Sequence, residues 1–193
     1  MSGSLSEEIR NYNGSIKAPM SQSRCTAGIA ALLGAAAAQA APASPAHHGP
    51  ATVLKFDTMA PVTGPYVGTA NPLRGIPGGG LPWMLRSATG SLKQNGRVLV
   101  VVRGLVLANQ PSVPPALRGI NPIPAFGAIV SCQSIGAGDT AAVVNVSSGN
   151  FPASKAGNAR IDAHVSLPRP CIAPIVFVTA PAGTDAWFAA TGS

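Results

Sequence analysis

The chain has 193 residues, a formal net charge of +7, 46% hydrophobic residues and only 10% charged ones. That is too apolar for a disordered polymer, and no apolar run is long enough for a polytopic membrane protein. The 22 Gly and 19 Pro, without a Gly-X-Y period, exclude collagen and point to turns rather than helices.

Residues 1–40 read as an N-terminal extension and export signal. Arg24 precedes an apolar stretch from Ala27 to Ala38, and Ala38-Gln39-Ala40 offers a small-x-small cleavage site. The stretch is too short to span a membrane. Met20, followed by Ser-Gln-Ser-Arg, is a more ordinary start for such a leader than Met1. Cys25 lacks a lipobox in front of it, so no lipid anchor is expected. Residues 41–50, APASPAHHGP, form a Pro/Ala linker expected to be disordered. One domain is expected over 51–193, secreted or held in the cell envelope after cleavage near Ala40, with no integral membrane span in the mature chain. The Ala/Gly/Arg/Pro-heavy composition fits a GC-rich bacterial genome.

After Ala40, ten Lys and Arg oppose four Asp and no Glu, a charge of +6. Such a field favours anionic partners. Aromatics are 5% and no basic run exists, so the stacking platforms and stripes of a nucleic-acid binder are missing. Cys132 and Cys171 are the only cysteines left in the mature chain, and in an oxidising compartment they predict one disulfide. Closing that loop stabilises by about 4 kcal/mol in the chain-entropy account.

Strand signals dominate the domain. They fall at 52–58, 83–92, 97–107, 125–133, 140–146, 158–167, 174–180 and 186–191. Asn95-Gly96 supplies a hairpin turn between the second and third. In the third, Val98, Val100, Val102, Gly104 and Val106 share an apolar face; Arg97, Leu99, Val101, Arg103, Leu105 and Leu107 share a partly solvated one. In the sixth, Ala159, Ile161, Ala163, Val165 and Leu167 point in, and Arg160, Asp162, His164 and Ser166 point out. PIVFVTA (174–180) has the unbroken apolar centre of a strand covered on both faces. About eight short strands with Pro/Gly loops predict an all-β, two-layer antiparallel sandwich of Ig-like type, the alternative being a small barrel. If strands alternate up and down, the loops carrying Arg74, Arg118 and Lys155 meet at one end. Cys132 and Cys171 meet at the other.

Leu-Arg-Gly-Ile occurs twice, at 73–76 and 117–120. The plain reading is a favoured loop conformation, with Gly at positive φ and the Arg capping backbone carbonyls. The sharper reading is a pair of guanidinium groups suited to carboxylate, sulfate or phosphate.

Asp162, His164 and Ser166 imitate a hydrolase triad, but alternate positions on one strand lie ~6.5–7 Å apart and do not converge. His47 and His48 sit in the linker without a third metal ligand. GIPGGGLPW (75–83) is no phosphate cradle and reads as a flexible loop ending at an anchoring Trp83. Asn145-Val146-Ser147 fits a glycosylation sequon within or beside a strand.

SATGSLKQNGRVLVVVRGL (87–105) resembles the opening of CHRD-type extracellular modules, in which strand, turn and strand end in Gly-Leu. The likeness stops there. The His-rich stretch of such modules is absent, and no site residue is carried over.

The expected function is a non-catalytic secreted sandwich, without cofactor or metal, that binds an anionic polymer through Arg74, Arg118 and Lys155. Neither enzyme chemistry nor nucleic-acid binding is expected. The alternatives are an envelope hydrolase, and a subunit whose apolar faces meet another extracellular protein.

Overall fold

Period-two alternation becomes strand almost wherever the sequence carries it. The computed structural model describes residues 49–181 and 186–192. The expected export signal and most of the expected linker lie outside them. The strands are β1 (Thr52–Phe56), β2 (Ala60–Pro61), β3 (Trp83–Met84), β4 (Ser87–Lys93), β5 (Arg97–Arg103), β6 (Val106–Leu107), β7 (Ala125–Ile135), β8 (Ala141–Pro152), β9 (Ala159–His164), β10 (Ile172–Thr179) and β11 (Trp187–Ala190). A four-stranded sheet runs β1-β4-β5-β9, a five-stranded sheet β2-β11-β10-β7-β8, and β3 pairs with β6 in a short ribbon. Every strand pair is antiparallel. The protein is an all-β sandwich.

Two of the eight expected strands are divided. The run 97–107 breaks at Gly104, whose φ of +67° turns the chain while its N–H donates to Asn158 Oδ1 at 3.0 Å. Alternation ends there: Leu105 and Leu107, expected on the partly solvated face, are buried together with Val106 between them. The run 83–92 breaks at Leu85-Arg86, because Trp83 leaves the sheet to stack on Phe188 at 4.2 Å. β2 escaped notice because an Ala-Pro pair carries no alternation. β8 continues to Pro152, past the expected end at Val146, and takes up most of the expected loop.

The Asn95-Gly96 hairpin forms as expected. Gly96 has φ +89°, and a Cβ there would strike the Val165 carbonyl oxygen. Asn95 Oδ1 accepts from the Arg97 N–H at 3.2 Å.

The two large sheets bury their facing sides against each other. Ala88, Leu92, Val98, Val100, Val102 and Ile161 come from one, and Phe126, Ala128, Val130, Val176 and Val178 from the other, all 0–1% exposed. Each large apolar side chain so buried stabilises by roughly 1.5–3 kcal/mol relative to exposure. The central strands β10 and β7 of the five-stranded sheet are buried on both faces, as PIVFVTA implied. Residues 62–82 cover the outer face. Their backbone bonds to Trp187 through the Pro77 carbonyl and the Gly79 N–H, both at 2.9 Å. On β11, Phe188 turns inward to Trp83 and Phe126, while Trp187 turns outward to Tyr66 and Phe177. The GIPGGG stretch is therefore packed rather than flexible: Gly78 and Gly79 are buried, and a Cβ at Gly78 would strike the Tyr66 carbonyl. Trp83, 3% exposed, is the anchor expected.

Cys132 and Cys171 form the predicted disulfide, with Cα atoms 4.9 Å apart. It ties the late part of β7 to the segment entering β10. No helix among the described residues is long and apolar enough to cross a membrane.

Candidate functional site: the open face of the four-stranded sheet

The outward residues of the four-stranded sheet follow from period two and register. Ser87 lies opposite Arg103, Thr89 opposite Val101, and Ser91 opposite both Leu99 and Lys55. Across β5, Arg97 pairs with His164, Leu99 with Asp162, and Val101 with Arg160. One face thus collects Lys55, Lys93, Arg97, Arg103 and Arg160, half of the ten cations after Ala40. Its strands carry a single carboxylate, Asp162, with Asp57 just past the end of β1. Neighbouring strands are ~4.8 Å apart and same-face residues along a strand ~6.5–7 Å, so the charges form a grid rather than a point.

The grid has internal order. Arg97 Nε and Nη2 donate to Asp162 Oδ1 and Oδ2 at 3.2 and 3.1 Å, and Arg160 Nη2 donates to Oδ2 at 3.3 Å. The Arg97 hydrogen bond, followed by the nearby charges of Arg97 and Arg160 and the Arg160 hydrogen bond, holds the Asp162 carboxyl below its ordinary pKa, and desolvation opposes them. The same hydrogen bond and charge raise the pKa of Arg97. Lys93 Nζ donates to Thr52 Oγ1 at 2.6 Å. Arg103 stands exposed with no partner for its guanidinium among the described residues. Arg103 and Arg160 flank a shallow hollow of about 400 Å³ beside Val101 and Asn158. Leu99 and Val101, half-buried, floor the middle of the face.

The face runs into a second concavity at the hairpin end. A cleft of about 1040 Å³ is lined by Gln94, Asn95, His164, Ser166, Arg169 and Cys171, among others. No carboxylate lines it among the described residues. His164 belongs to both, closing the basic face and opening the cleft. Asp162 and His164 share the outward side of β9, Ser166 lies past the strand's end at His164, and the Asp162 carboxylate is engaged by two arginines.

The three loop cations expected to share one end are differently placed. The loops of Arg118 and Lys155 do adjoin, because the Asn121 N–H donates to the Lys155 carbonyl at 2.8 Å. Asn121, 3% exposed, binds them further, with Nδ2 donating to the carbonyls of Ile123 at 2.7 Å and Ser154 at 2.9 Å. Arg74 is elsewhere. Its Nη2 donates to the Ala173 carbonyl at 3.0 Å, and its own carbonyl accepts from Asn145 Nδ2 at 3.1 Å. Ala173 lies near the level of Gln133, at the disulfide end. Lys155 lies beyond Pro152, which pairs with Ala125. From Ala125 to Cys132 the strand advances ~23 Å. Arg74 therefore cannot converge with Arg118 and Lys155.

The two Leu-Arg-Gly-Ile words also differ in shape. At 73–76, Arg74 (φ +53°) and Gly75 (φ +79°) are both left-handed, as in a type I′ turn, and Leu73 and Ile76 exchange two backbone hydrogen bonds. At 117–120, Arg118 (φ −63°, ψ 133°) and Gly119 (φ +70°) make a type II turn. What the words share is a Gly at positive φ and an Arg on a backbone carbonyl, since Arg118 Nε donates to Val113 at 2.9 Å. Asn145 of the sequon lies mid-strand with its amide engaged by Arg74.

Sequence reasoning missed the basic face as a unit. Its signal was present in the outward cations of β5 and β9, but only the register of Val101 opposite Arg160 assembles them. No protein-family model matches the chain, and neither a curated protein nor a solved structure does.

Proposed function

We propose that this is an exported, non-catalytic β-sandwich that binds an extended anionic polymer, rich in carboxylate or sulfate, across the open face of its four-stranded sheet. The observation that carries the reading is the five-to-one excess of cations over carboxylates on a flat, exposed strand face. A flat grid of point charges suits a repeating polyanion better than a small ligand, which prefers a concave, largely apolar pocket. Arg103 supplies an uncommitted guanidinium beside the hollow it shares with Arg160. Serine and threonine hydroxyls of β4 line the grid and can donate to hydroxylated or acidic sugars. No Phe, Tyr or Trp stands among the face residues, so nucleobases find no stacking platform. The disulfide agrees with life in an oxidising compartment.

Retention on immobilised heparin and on polygalacturonate tests the reading. Arg103→Glu with Arg160→Glu should abolish retention at physiological ionic strength, while Arg118→Glu with Lys155→Glu should leave it nearly unchanged. The reverse pattern would move the site to the loop end.

A further inference from the structure

We propose that β8 is a self-pairing edge, through which two copies of this chain join antiparallel into one continuous sheet. β8 is the outermost strand of its sheet and runs from Ala141 to Pro152. Over Ala141–Ser147 its register with β7 is unbroken, from Ile135 to Ile129. No backbone hydrogen bond is made from its other side there among the described residues. Alternate residues of that stretch therefore hold their N–H and C=O toward an open edge, the template onto which another strand adds.

Edge strands are ordinarily guarded by charge, proline or a bulge. Ala141–Pro152 contains no charged residue, and its single proline is the last residue. The irregularity at Ser148-Gly149, where Gly149 has φ +83°, lies beyond the regular half. Beside the bare edge lies an apolar patch. Ile135, Val143 and Ile172 are 56%, 49% and 54% exposed. Ile172 pairs with Gln133, which pairs with Val143, and Ile135 is two residues along β7, so all three share one face.

Charge selects the occupant. The chain carries +7, so most approaches of two copies oppose like charges. β8 is a long edge on which they do not. Arg74, whose carbonyl accepts from Asn145 of this strand, turns its guanidinium to Ala173 on β10, on the far side of β7. An acidic partner would find no cation on this strand to recognise. A two-fold axis across β8 uses the same residues from both copies and sets their apolar patches on one face of the joined sheet.

Sedimentation of the purified chain tests this. The expected mass is twice that of one chain at concentrations on the order of 100 μM, with the dimer strengthened by added salt, which screens the repulsion. Polymer binding to the basic face should weaken with salt instead, so the two interactions separate. Ala141→Lys with Val143→Lys, both at exposed positions, should halve the mass and leave the thermal midpoint near that of the parent; Val53→Lys on the other sheet should not dissociate it. In the parent chain, hydrogen exchange should show concentration-dependent protection confined to alternate amides of 141–147. A monomer throughout that concentration range, a dimer that survives both lysines, or protection of β8 only by an added peptide of unrelated sequence would overturn the proposal.

Discussion

Arg97 grips Asp162 with two parallel hydrogen bonds, 3.2 and 3.1 Å long, across the boundary between β5 and β9. The pair lies on the surface, where solvent and salt screen it, so its chief effect is on the charge and order of the basic face rather than on stability. Asp162 is also the only carboxylate on the strands of that face, and it occupies donors of both Arg97 and Arg160.

Replacing that carboxylate should therefore strengthen polymer binding. Asp162→Asn should need more salt for elution from heparin than the parent chain. The pH dependence follows from the direction of the shift: the folded carboxyl has a lowered pKa, so its contribution to stability is complete above the unfolded value near ~3.9 and is lost as pH falls through the lower folded value. Thermal melts of parent and Asp162→Asn should run parallel at neutral pH. In strong acid the parent alone should lose the increment due to this pair. Weaker retention by the variant would contradict this role.

Arg74 should prove structural. Its guanidinium caps the carbonyl of Ala173, a residue held at φ +44°, and its backbone carries the turn that fixes 62–82 over the sheet. Arg74→Ala should cost about 1–3 kcal/mol, as measured by urea unfolding, while leaving heparin retention per folded molecule nearly unchanged. Loss of retention without loss of stability would return Arg74 to the binding site.

How much of this was legible turns on local against non-local information. The β4–β5 hairpin was readable because Asn95-Gly96 and the valines of β5 act within a few residues of one another. The in-and-out faces of β9 were readable for the same reason. Which strand lies beside which is not written in any short window, so Arg103 and Arg160 could be placed outward but not together. Alternating strand directions gave the correct end for the disulfide, because Cys132 and Cys171 sit close to strand ends. The same bookkeeping failed for Arg74, since a segment as long as 62–82 can travel the length of a strand. It does so here because Phe177, Trp187 and Ile129 on the outer face of the five-stranded sheet need cover. Gly104 was read as a small residue within a strand, and its left-handed turn ends the alternation, so that Leu105, Val106 and Leu107 are all buried.

Ser131 offers a test of the core. It is 0% exposed, and its Oγ has no hydrogen-bond partner among the described residues. A buried hydroxyl without a partner carries its full desolvation cost. Ser131→Ala should raise stability by about 1 kcal/mol by chemical denaturation. A loss of similar size would show that the hydroxyl has a partner in solution.

Reducing the Cys132–Cys171 bond should lower stability by about 4 kcal/mol in the chain-entropy account, because the disulfide closes a loop with a sequence separation of 39. Equilibrium unfolding with and without reductant measures this. The reduced domain should keep a cooperative transition at lower denaturant, since the core valines and phenylalanines do not depend on the bridge. Superimposable curves would assign the bond no part in stability.

Amide chemical-shift mapping during titration with a short heparin oligosaccharide tests the binding surface most directly. The largest changes should fall on outward positions of β4, β5 and β9, around Arg97, Arg103 and Arg160, with smaller ones at His164 on the rim of the cleft. Changes centred on 113–120 and 153–158, or none at saturating oligosaccharide, would contradict the assignment of the four-stranded sheet as the polymer-binding face.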